Sequence, residues 1–106
     1  MGYAIFAAKS NAQLQKHIRI VSKTTEAVFL TRHAKARMKK RGIGMNEVYD
    51  VLRYGVIERP PHANVKKNSL ECRMQRYVGG RECAVIVALD DADPDLIVVT
   101  VMETGN

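Results

Sequence analysis

The sequence predicts an α+β fold, with two or three N-terminal helices packed on an antiparallel sheet of three to four strands. Three observations carry this expectation. Apolar residues before Gly55 recur at helical spacing, those after it recur every second residue, and the Gly79-Gly80 pair between two such runs is a hairpin signal. At 106 residues, the chain has the size of a single domain spanning 1–106.

The first 27 residues carry the weakest pattern. Leu14, Ile18 and Val21 follow the capping residue Ser10 at helical spacing and favour a helix over 11–23. The run HIRIV within it alternates as a strand would, so both readings stand. AVFL (27–30) suits a short edge strand. Thr31 caps a helix over 32–41 that stops at Gly42. A second helix fits 45–54, with Gly44 as its cap, Glu47 in its first turn and Gly55 as its stop. Its apolar stripe is Met45, Val48, Val51 and Leu52.

Beyond Gly55, Pro60 and Pro61 break the chain into a strand end and an exposed loop. Leu70–Val78, Cys83–Leu89 and Leu96–Met102 then form a three-stranded meander, its second turn built on Asp93-Pro94. The last two runs are apolar on both faces and belong at the centre of the sheet.

A hydrophobic content of 46% with 26% charged residues is that of a folded globule. No apolar run is long enough to cross a bilayer, and the opening MGYAIFAAK lacks the basic start of a leader, so no membrane association is expected. Cys72 and Cys83 as the only cysteines fit a reduced, cytoplasmic protein. The cysteines and the three histidines show no ligand spacing, so neither metal nor other cofactor is expected.

The net charge of +6 conceals a sharper division. All 17 Lys and Arg fall within residues 1–81 beside five acids, a net +12, while residues 82–106 hold six acids and no base. The segment TRHAKARMKKR (31–41) alone holds six cations, one histidine and no acid. A solvated helix face needs no such concentration of one sign, which points to RNA or another polyanion as partner. On a helix His33, Arg37 and Arg41 share one face beside a narrow apolar stripe of Ala34 and Met38, while Lys35 and Lys39 point to solvent. Arginine in the row beside the core suits phosphate, because its planar fork contacts two oxygens at once. The competing role for Arg37 and Arg41 is to pair with Asp50 or the acidic tail. His33 lies in the first turn, where the positive end of the helix dipole favours a neutral ring able to accept a proton.

The pattern His-Ala-x-x-Arg-Met-x-x-Arg-Gly-Ile, a second helix and a meander closing on Val-Val-Thr resembles a family of small uncharacterised bacterial and phage domains. That family is similar to the RelE and BrnT group of ribonuclease toxins, and the likeness covers roughly residues 28–102. The resemblance implies a RelE-like sheet carrying two helices and a metal-independent endoribonuclease site where the helix face meets the sheet. His33, Arg37 and Arg41 take the motif positions, and Arg73, Arg76 and Tyr77 supply strand groups. A cognate antitoxin or another protein partner is implied as well. The chain departs from RelE-type enzymes in closing on METGN, without basic or aromatic groups, which argues against ribosome-dependent cleavage.

RNA transesterification needs a base for the 2′-hydroxyl, a clamp on the phosphate and a proton for the leaving oxygen. The catalytic set expected is His33 as base, Arg37 and Arg41 as clamp, and Tyr77 as stacking group or proton donor. The RNA-binding set is Arg37, Lys40, Arg41, Arg73 and Arg76. The alternative is a non-catalytic phage or bacterial binding or inhibitor protein on the same fold. A DNA-binding regulator is disfavoured, because the second helix carries Glu47 and Asp50 against one Arg53.

Overall fold

The structure, a computed structural model, describes residues 2–105. Its elements in chain order are α1 (Ala4–Ala7), α2 (Asn11–Val21), a 3₁₀ turn (Thr25–Ala27), β1 (Val28–Leu30), α3 (Arg32–Arg41), α4 (Met45–Tyr54), β2 (His62–Asn64), β3 (Ser69–Val78), β4 (Arg81–Leu89) and β5 (Ile97–Thr104). Among the described residues, no helix is long and apolar enough to cross a membrane.

The helix ends follow the capping chemistry of the sequence. The Ser10 hydroxyl accepts from the Gln13 amide while the Gln13 side chain accepts from the Ser10 amide, which resolves the 11–23 segment as helix rather than strand. Thr31 Oγ1 accepts from the Ala34 amide at 3.1 Å, and Gly42 closes α3 in the left-handed region. Gly55 ends α4 for a different reason. A methyl group there would collide with the Val51 carbonyl and lie 2.9 Å from that of Gln75, so helix and strand can meet only over a hydrogen.

The sheet departs from the three- to four-stranded antiparallel expectation. It has five strands in the order β1-β5-β4-β3-β2, and β1 lies parallel to β5 with Val28 opposite Ile97. The β3–β4–β5 meander is antiparallel as expected, with both residues of the Gly79-Gly80 turn at positive φ. β2 occupies what reads as a loop, pairing His62 with Glu71 and Asn64 with Ser69. β1 is the edge strand expected at AVFL, so the departures are its parallel pairing and the three-residue β2, and neither pairing leaves a local mark. β1 meets a strand some seventy positions away, and β2 has no apolar alternation.

The helices lie on one face of the sheet. Leu70, Cys72 and Met74 of β3, Cys83, Val85, Val87 and Leu89 of β4, and Ile97, Val99 and Met102 of β5 are buried beneath them. Leu14 and Ile18 of α2 and Val48, Val51 and Leu52 of α4 complete the core at 0% exposure. α3 contributes only Ala34 and Met38. Among the described residues the opposite face carries no helix, and Phe29 stands 56% exposed on it.

Two substitutions test this packing by urea unfolding. Leu52→Ala should cost about 2–5 kcal/mol through lost burial and a residual cavity. Gly55→Ala should cost about 1–3 kcal/mol although its backbone angles suit alanine, because the added methyl meets backbone rather than a movable side chain.

Candidate nucleic-acid interface

α3 follows the second half of β5. The Thr31 hydroxyl donates to the Thr100 carbonyl at 3.3 Å, and Arg37 Nε reaches the Met102 carbonyl at 3.5 Å. β1 pairs only with residues 97–99, so beyond that point α3 covers the edge of β5 and Met102 is fully buried. Arg37 is thereby half-buried, with its Nε on the backbone and its Nη groups without a hydrogen bond among the described residues.

By helical period His33, Arg37 and Lys40 lie on one flank of α3, with Arg41 nearer the apolar stripe. His33, Lys40 and Arg41 are exposed, as are Arg32, Lys35 and Lys39. The ion pairs among the described residues are Arg73–Glu103, Arg76–Asp50 and Arg81–Glu47, and none involves α3. Asp50 and, from the acidic tail, Glu103 are thus engaged elsewhere, and the six α3 cations have no carboxylate partner among the described residues.

The helix tolerates this charge because its end is built for it. Lys39, Lys40 and Arg41 fall in the last turn, where cations meet the negative end of the dipole. Arg81, at the start of β4, lays its fork over the same end. Its Nη1 donates to the Arg41 carbonyl at 2.9 Å and its Nη2 to the Gly42 carbonyl at 3.0 Å, while Glu47 of α4 lies 3.5 Å away.

The strand residues stand elsewhere. Arg73 faces the open side of the sheet, with Nε on Glu103 at 3.2 Å and Nη1 on Gln75 at 2.5 Å. Arg76 faces the helices, where Asp50 takes its Nε at 3.0 Å and Tyr54 lies beneath its guanidinium. Tyr77 is 68% exposed on the open side, its hydroxyl donating to the Gly80 carbonyl at 2.9 Å. The structure therefore brings together His33, Arg37, Lys40 and Arg41. It does not bring Arg73, Arg76 or Tyr77 to them: β-strand alternation separates Arg73 and Tyr77, and an ion pair retains Arg76.

Helical spacing alone assigns Lys35 and Lys39 to solvent, yet with Arg32 they extend the surface that has no ion-pair partner among the described residues. The absence of any acid from 31–41 was the signal. Arg81 leaves no such mark, and its role is invisible until the hairpin folds back.

A family model described as a domain of unknown function, DUF4258, matches residues 30–103. The chain belongs to this family. The DUF4258 span takes in α3, α4 and the meander except the last residue of β5, and leaves α1 and α2 outside it. No curated protein and no solved structure matches the chain.

Among the described residues of this DUF4258 protein, no group of three or more His, Cys, Asp or Glu is placed to hold a metal ion. Both cysteines are free and buried. Burial pushes the Cys72 thiol up to about 12, and burial, with Glu47 adding to it, raises that of Cys83.

Two measurements follow. Arg81→Ala should lower stability by about 1–3 kcal/mol, since two terminal carbonyls lose a charged donor at once. A thiol reagent at pH 8 should label neither cysteine in the folded protein and both in denaturant, because the reactive thiolate is suppressed in the fold.

Proposed function

We propose that this DUF4258 protein binds RNA, with the phosphate backbone lying along α3. One observation carries the reading: six cations on a ten-residue helix without an ion-pair partner among the described residues. Like charges held this close repel, and a strand of phosphates that releases its counterions relieves the repulsion. Arg37 is the best-prepared contact, because fixing Nε on a backbone carbonyl orients the two Nη groups outward. α4 is a poor DNA-reading helix: Glu47 and Asp50 hold sheet arginines, and its apolar face is buried.

The resemblance to RelE- and BrnT-type toxins supports RNA as the polyanion and extends the reading to metal-independent cleavage. His33, exposed one turn before Arg37, would take the 2′-hydroxyl proton, and Arg37, Lys40 and Arg41 would steady the phosphate. Tyr77, on the far face of the sheet, has no part in this arrangement. A cytoplasmic location and a cognate antitoxin belong to the same reading. The position of Tyr77 favours the second reading, a non-catalytic protein of bacterial or phage origin that binds RNA or inhibits a partner without cutting.

RNA affinity should fall linearly with salt on logarithmic axes. Lys40→Ala with Arg41→Ala should flatten that slope by about one to two units and leave stability within about 0.5 kcal/mol. Salt-independent binding, or none, would remove the RNA reading. Incubation of RNA with wild type and His33→Ala separates the two versions. A base role predicts about a 10²- to 10⁴-fold loss of cleavage at unchanged melting temperature, whereas absence of cleavage in the wild type would favour the binding protein.

A further inference from the structure

The sheet edge beside β3 is interrupted. Val56 and Gln75 exchange both backbone hydrogen bonds, at 3.0 and 2.9 Å, and the β2 ladder begins where His62 meets Glu71. Between these attachments three residues of β3 (72–74) face five of the returning chain (57–61), which loops away. Backbone direction alternates along a strand, so Arg73 turns its N–H and C=O toward this edge as Gln75 does. Neither group has a hydrogen-bond partner among the described residues. The looping chain is poorly equipped to supply one, since Pro60 and Pro61 have no N–H and that of Ile57 goes to Gln15 at 2.9 Å.

A cleft of about 230 Å³ lies at this interruption, lined by Arg59, Pro60, His62, Glu71, Arg73 and Ile86. Pro60 and Ile86 give it apolar walls. Arg59 is exposed at its rim and takes part in no ion pair among the described residues. Glu71 is held by Asn64 Nδ2 at 3.0 Å.

We infer that this cleft binds a nucleotide. A base presents an adjacent donor and acceptor on its pairing edge, which is the complement of one residue's outward C=O and N–H. For adenine, the exocyclic amine donates to the Arg73 carbonyl and N1 accepts from the Arg73 amide. The ring lies against Pro60 and Ile86, Glu71 accepts from a ribose hydroxyl, and Arg59 with His62 meets the phosphate. The volume suits a base with part of its sugar, leaving the phosphate at the rim beside Arg59. This site lies at the β2 side of the sheet, away from α3, and stands independently of the reading of that helix.

The test is amide NMR of the full chain titrated with AMP. The amides of Arg73, Glu71 and Ile86 should shift, and should do so equally in the Lys40→Ala/Arg41→Ala protein, whose α3 surface has lost two of its six cations. Purine riboside monophosphate, without the exocyclic donor, should bind several-fold more weakly. Arg59→Ala, an exposed change that spares the fold, should weaken AMP by about 10-fold. A single-stranded oligoadenylate tells whether the base comes from a free nucleotide or from RNA: shifts in the cleft with both indicate a strand, and with AMP alone a mononucleotide. The inference fails if neither ligand moves the Arg73 amide, if the shifts fall on α3 only, or if removing the exocyclic amine changes nothing.

Discussion

A ten-residue helix with two buried side chains cannot hold itself on a sheet. Ala34 and Met38 are all that α3 gives to the core, against three large residues from α4, and alanine buries little area. Its position therefore rests on polar contacts along its length: Thr31 joined to the Thr100 carbonyl at its start, Arg37 to that of Met102 in its middle, and Arg81 over the carbonyls of Arg41 and Gly42 at its end. This arrangement explains how so polar a helix stays in place. Each contact uses one group of a side chain or the backbone, and the remaining positions of α3 are left to face solvent with their charge unspent.

The arginines divide by the partner the fold supplies. Arg19 donates to the carbonyls of Tyr54 and Gly55 at the end of α4, and Arg53 returns the favour to Ser22 at the end of α2. Arg81 does the same for α3. Three helix ends are thus closed by a cation from another element, where guanidinium satisfies orphan carbonyls and the dipole together. Arg73 and Arg76 are neutralised by carboxylates. Net charge overstates what any partner meets, and the surplus concentrates on α3.

The two faces of the sheet differ in the same way. Toward the helices the strands are apolar and buried, with Arg76 near the end of β3 the charged exception. On the open face, Arg73, Gln75, Glu58, Glu82 and Glu103 bond one another across three strands and the loop that follows α4, and cover Ala84 to 2% exposure. A lattice of long polar side chains shields small apolar ones there without a second layer of structure. The cation row of α3 and this polar face are consequently separate surfaces of one small protein.

Local chemistry determined a good deal of this molecule. Capping at Ser10, Thr31, Gly42 and Gly44, the glycine pair at 79–80 and the change of period at Gly55 place three of the four helices and the whole meander, because each acts within a few residues of itself. The same is true of the cation row, which helical spacing alone assembles. What only the tertiary structure decided are the contacts between distant segments. β1 beside β5, Asp50 taken by Arg76 rather than by α3, Tyr77 turned to the far face, and the interrupted edge at Arg73 all depend on which strand lies next to which. Pairing partners leave no periodic trace in a chain, and a shift of one residue in a strand exchanges its two faces.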